Sequence, residues 1–237
     1  MRKSGIASVL AAALAASSAF AQTAVPQPAA AIPAPQRVRG TIEAYDPVSR
    51  TLTVTTGKTT TATVTLPANL RIVYDQHRKV ADIKQGDFIG AAALKGADGK
   101  LRAQQVAVFP EELRGMGEGQ YPMGDPASSR IMTNATVSGV TAAAPNNGTV
   151  SVTYRGAGAG ADGVCGGHAG AAGSAGGCNG DAQIVIAPGI PVIALMLGDE
   201  TLLVPGAAVS VTAGATPEGT LQATRLTVEK DGVKPIL

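Results

Sequence analysis

From Arg37 onward, apolar and polar residues alternate in short runs with a period of two. RVRGTIEAY, TLTVTTG, TATVTLP, LRIVYD, FIGAAALKG and KLRAQQVAVF follow one another, rich in β-branched residues and separated by turn residues. This is the pattern of strands that bury one face. Asp98-Gly99, between two such runs, marks a tight hairpin turn. A second series begins near Asn134 with ATVSGVTA, GTVSVTYRG, AQIVIAP, IPVIALM, AAVSVTAG and TLQATRLTVEK. No amphipathic helical period interrupts either series, so the chain is predicted to be all-β.

The two series repeat each other. At an offset of 120 residues, Leu70, Ile72 and Val73 fall on Ile190, Val192 and Ile193. Gly86 falls on Gly206, Gly99 on Gly219, Leu101 on Leu221, Ala103 on Ala223 and Val108 on Val228, and no gap is needed from Val64 to Val108. Further upstream, Val38-Arg39-Gly40 matches Val137-Ser138-Gly139, and TLTVT at 51–55 matches TVSVT at 149–153, at an offset of 98 or 99. Such self-similarity reads as an internal duplication. The change of offset places an insertion of about 22 residues in the second series, between Tyr154 and Gln183.

Each series has the length of one small closed barrel or sandwich, and closure removes exposed strand edges. Gly40 and Gly139 interrupt the first strand of each series. A glycine there suits the bend that a tightly coiled first strand needs in an OB-like barrel. The expectation is two tandem OB-like β-barrels, with β-sandwiches as the alternative. β-domain 1 would span 37–109 and β-domain 2 would span 134–230 with a Gly-rich insertion at 155–182. An inter-domain loop at 110–133 would join them, and 231–237 would form a tail.

The N-terminus carries a different signal. Arg2 and Lys3 precede an apolar run from Ile6 to Ala16, and Ala19-Phe20-Ala21 fits a small-x-small cleavage pattern. This reads as a secretory signal peptide at 1–21, cleaved after Ala21. The expected compartment is the periplasm or the exterior. Residues 22–36 are rich in Pro and Ala and read as an extended, disordered spacer. No later run reaches about 18 apolar residues, so no membrane insertion is expected. Loss of Arg2 and Lys3 with the leader brings the basic residues from 19 to 17, equal to the 17 acidic ones. A neutral chain with few aromatics has neither the field nor the stacking platforms for nucleic acid.

Residues 37 to about 235 resemble a family of small exported proteobacterial proteins, usually described as tandem β-domains of unknown function. The resemblance rests on VRGTI…TLTV…VADIKQGDFIG…DGKLRAQQVAVFPEELRGMGEG, then MTNATVSGV…LLVPGAAVSV…GTLQATRLTVEKDGVKP. It implies a fold and a compartment, and no reaction. Some relatives carry the label metal ABC transporter permease, which needs spanning helices that this sequence does not encode.

Three places carry candidate chemistry. The insertion GVCGGHAGAAGSAGGCNGD holds both cysteines. In an oxidising compartment Cys165 and Cys178 are expected to form a disulfide. The alternatives are a zinc site from Cys165, His168, Cys178 and Asp181, or thiols left unpaired. The connection at 110–133 is long enough to be a binding loop. Glu111, Glu112, Arg114, Glu118, Tyr121 and Asp125 are its polar candidates, with Met116 and Met123 as thioethers for Cu(I). Its plain alternative is a linker packed on the barrels. His77 follows a strand in a polar turn with no partner at catalytic spacing. The sequence has no G-x-S-x-G elbow, and the phosphate-loop pattern fails at Leu94 and Leu101 around Gly99-Lys100. The functional expectation is a binding or structural protein without catalysis and without a cofactor, acting on an envelope protein or a small ligand. A metal-handling accessory protein, with zinc as its cofactor, is the alternative.

Overall fold

The computed structural model describes residues 35–57, 60–124, 129–161, 163–170 and 177–236. The leader at 1–21 and the spacer up to residue 34 lie outside them. Fifteen strands follow in order: β1 (Gln36–Asp46), β2 (Thr51–Thr56), β3 (Thr60–Thr65), β4 (Ile72–His77), β5 (Phe88–Lys95), β6 (Leu101–Phe109), β7 (Gly119–Pro122), β8 (Arg130–Ala144), β9 (Asn147–Gly156), β10 (Gly158–Ala159), β11 (Cys165–His168), β12 (Cys178–Ile186), β13 (Val192–Gly198), β14 (Ala208–Ala215) and β15 (Leu221–Val228). Single 3-10 turns occur at Val80–Asp82, Glu111–Leu113 and Glu200–Leu202. The fold is all-β, as the alternation requires. Among the described residues no helix is long and apolar enough to cross a membrane.

Strand pairing closes two circuits. The first runs β1–β2–β3–β15–β14 and back to β1. The second runs β8–β9–β12–β6–β5 and back to β8. Each contains one parallel contact, Val64 beside Leu221 in the first and Ile184 beside Leu101 in the second. Inward residues fill each circuit. Val38, Ile42, Leu52, Val54, Val64, Val209, Val211 and Leu226 form one core. Ile89, Val106, Val137, Val150, Val152 and Ile184 belong to the other. Full burial of each such aliphatic side chain contributes about 1.5–3 kcal/mol.

These circuits do not follow the division at 109/134. Each joins three strands from one segment to two from the other. The change of partner occurs where Pro67 and Pro188, lacking an N–H, break a strand. After the break, β4 runs parallel to β15 and β13 runs parallel to β6. β4 and β13 then pair antiparallel with each other. This crossing maps onto itself at an offset of 120: Val73 faces Leu197, His77 faces Ile193, and Asp75 faces Leu195 at the centre. The same offset carries the β5–β6 register onto that of β14–β15. The irregularity between Ala92 and Ala93 falls on the one between Thr212 and Ala213.

Gly40 is fixed by a close approach. A Cβ there would stand 2.0 Å from the Thr55 carbonyl oxygen of β2. Gly139 meets no such neighbour and instead borders a register shift between β8 and β9. The connection at 110–133, read as strandless, contains β7, and β8 already begins at Arg130. Four residues are too few to show alternation, and β7 is specified by its partners β8 and β11.

The tail is packed rather than loose. Ile236 joins Val73, Ala107, Leu113, Ile193 and Leu195 in a small third core over the crossing. Its N–H donates to Asp75 Oδ2 at 3.0 Å, while Asp75 Oδ1 is buried with no partner. Burial pushes the Asp75 carboxyl up, against the Ile236 hydrogen bond and the His77 charge. An acid whose folded pKa is raised holds its proton to higher pH when folded. Stability therefore falls as pH climbs from the ordinary carboxylate value to the raised one. Asp75→Asn is expected to stabilise the fold by about 1 kcal/mol at pH 7, because a neutral amide avoids the cost of burying an ionised carboxylate while its oxygen still accepts from Ile236. The gain should vanish as pH falls below the ordinary carboxylate range, as denaturant titrations at both pH values would read.

Candidate functional site

The insertion and the connecting loop, predicted as separate candidates, meet in space. Cys165 on β11 and Cys178 on β12 form a disulfide with S–S 2.03 Å and Cα–Cα 5.6 Å. It lies where β9 and β12 begin their ladder, with Cys178 opposite Gly156. Cys165 is buried in the second circuit's core, and its carbonyl accepts from Tyr154 Oη at 2.8 Å. Beyond it, β10 and β11 make a small hairpin in which β11 pairs with β7 and β10 is the edge. Gly119 is required at that contact, because a Cβ would stand 2.0 Å from the Gly167 carbonyl oxygen.

With both sulfurs bonded to each other, Cys165, His168, Cys178 and Asp181 offer no thiolate, which a zinc site of this kind needs. His168 stacks on Tyr121, ring centroids 3.7 Å apart, and Asp181 lies opposite Thr153 in the ladder. Among the described residues no group of three or more His, Cys, Asp or Glu is placed to hold a metal ion.

Several polar residues of the connection are engaged by one another or by neighbouring strands. Arg114 Nε donates to Glu111 Oε1 at 2.6 Å, and its Nη2 donates to the Gly86 carbonyl at 2.9 Å. The Glu112 carbonyl accepts from Arg71. Glu118 accepts from the Arg155 backbone N–H, Nε and Nη2 at 3.1, 3.0 and 2.6 Å. Burial would raise the Glu118 carboxyl, but the bonds from Arg155 outweigh it and hold it below its usual range. Tyr121 Oη accepts from Asn134 Nδ2 at 3.3 Å. Met116 Sδ lies 4.0 Å from Arg225 Nη2. Asp125 lies outside the described residues, and His77 ends β4 exposed.

One opening, of about 470 Å³, lies at this end of the second circuit, lined by Glu118, Arg155 and Asp181. A further one lies between the two circuits. A cleft of about 840 Å³ is lined on one side by Arg37, Val38 and Arg39 of β1, and on the other by Gln104, Gln105 and Arg130. Strand alternation places Arg37 and Arg39 outward while Val38 points into the core. Among the described residues none of Arg37, Arg39 and Arg130 forms an ion pair. The Arg37 guanidinium lies below its usual range, first because it is partly desolvated, then because Arg39 and Arg225 repel its charge. Gln105 is 8% exposed, and its Nε2 is buried without a hydrogen-bond partner. A second cavity of about 480 Å³ lies over the crossing, against β4, β13 and β15. A small void of about 50 Å³ shares Ala92 and Gln105 with the cleft and Phe109 and Arg225 with the second cavity.

Sequence reasoning passed over these residues. Arg37, Arg39 and Gln105 each occupy a polar position in an alternating strand, which by itself reads as a solvated face. The one local signal was the pair of arginines two apart on a single strand. Compared with protein-family models, curated proteins and solved structures, the chain matches none.

Proposed function

We propose that the protein is an exported, non-catalytic binding protein that captures a small anion in the cleft between its two circuits. The observation that carries this reading is that Arg37, Arg39 and Arg130 line one cleft and, among the described residues, none of them forms an ion pair. A carboxylate or phosphate there would accept charge-assisted hydrogen bonds from them. Arg37, which Arg39 repels and which among the described residues has no acidic partner, gains most from such a ligand. Export is supported by the leader pattern and by a disulfide, which suits an oxidising compartment.

The same reading takes each circuit as an OB-like barrel and the chain as a fused duplication. Its support is the register shared at an offset of 120 and the five-strand count of each circuit. Isothermal titration with succinate and with inorganic phosphate tests the site. Binding of either anion is expected, weakened tenfold or more in Arg37→Ala and also reduced in Gln105→Leu. Absence of heat and of any thermal shift with both anions would refute it.

A further inference from the structure

The second cavity has a different chemistry from the cleft. Leu70, Val73, Phe109, Leu113, Met116 and Leu195 line it with apolar surface. Its size, about 480 Å³, is that of a small-molecule site. Arg71 and Arg225 also line it. Arg71 is held by the Glu112 carbonyl, and among the described residues Arg225 has no carboxylate partner, its Nη2 lying 4.0 Å from the Met116 sulfur. Apolar walls with a free guanidinium among them match a molecule that is a hydrocarbon at one end and an anion at the other. A short dianion gains nothing from Leu113 or Leu195, and a neutral hydrocarbon gains nothing from Arg225.

We propose that this cavity binds a free medium-chain fatty acid, its alkyl chain against Leu113, Leu195 and Phe109 and its carboxylate on Arg225. The site goes beyond the anion cleft and does not depend on it. Bidentate pairing suits a planar carboxylate on a planar guanidinium. Each methylene transferred from water to the apolar wall tightens binding about fourfold.

The test is a titration of the folded, oxidised protein with hexanoate, octanoate and decanoate, each below its micellar concentration. Affinity should rise about fourfold per added methylene until the cavity is full, and decanol should bind at least tenfold more weakly than decanoate. Arg225→Ala should remove that preference for the acid. Thr224→Trp changes an exposed residue of the cavity wall and is expected to keep the fold. It should abolish decanoate binding while leaving succinate binding unchanged, so the two sites fail separately. No decanoate binding, an affinity independent of chain length, or decanoate binding unaffected by Thr224→Trp would each overturn the proposal. So would a lysophospholipid outcompeting decanoate at equal chain length.

Discussion

Leu226→Ala is expected to loosen β1, β2 and β3, strands more than 150 residues upstream, and to leave β8, β9 and β12 closed. Leu226 is fully buried and packs with Val38, Ile42, Leu52 and Val64 in the first circuit. Truncating a buried leucine removes its transfer energy and leaves a cavity, together about 2–5 kcal/mol. That loss falls on whichever strands share its core. If the segments 37–109 and 134–230 closed separately, the damage would appear in β8, β9 and β12. With the observed pairing it appears in β1–β3 and β14. Hydrogen exchange resolved by peptide reads the difference directly, since protection is lost in cooperative units. Val106→Ala is the mirror case and should expose β8, β9 and β12 first. Faster exchange in β8 and β9 after Leu226→Ala, with β1–β3 unchanged, would refute the pairing.

The double substitution Cys165→Ser with Cys178→Ser is expected to lower stability by about 3 kcal/mol, the loop-closure entropy for a separation of 13 residues. The cost has a local and a shared part. β10 and β11 hold few side chains beyond glycine and alanine, so without the bridge they are left to the short β7–β11 ladder, the Tyr154 bond to the Cys165 carbonyl and the Tyr121–His168 stack. Their exchange should rise more than that of any other strand. Cys165 also belongs to the second core, so β9 and β12 should lose protection as well, while β1–β3 keep theirs. The Tyr121–His168 stack would be released with β11, and loss of their ring-contact shifts in proton spectra would report it. An unchanged denaturation midpoint under reductant would show that these remaining contacts suffice.

The strands themselves were legible because alternation is a local property. RVRGTI, TLTVT and LQATRLTV declare their faces, and Asp98-Gly99 declares its turn. Partner choice was not legible. The inward residues of β5–β6 and of β14–β15 are aliphatic at the same spacing, so either hairpin fits either circuit by pattern alone. What decides is the crossing of β4 and β13, a contact between residues 120 apart that no window of sequence contains. The Cys165–Cys178 bridge was legible from two cysteines close in sequence, and the cleft was not, for a related reason. Cysteine, histidine and clustered carboxylates draw the eye, and here Cys165 and Cys178 form a bridge, His168 a ring stack, and Glu111 and Glu118 ion pairs. Arg37, Gln105 and Arg225 gain meaning only when two circuits face each other. Asp75, the polar end of the run LRIVYD, proved to be the centre of the crossing.

The crossing also sets an order of events during synthesis. The second circuit has all its strands once Ile186 has been made. The first must wait for Val228, because β3 lies beside β15. At about 5–20 residues per second, roughly 10–30 s separate the emergence of Thr65 from that of Leu221. For that interval Leu52, Val54 and Val64 have no core to enter, and β3 has an unpaired edge. The N-terminal strands are made first and finished last, so this chain needs protection early in its life, along β1 to β3.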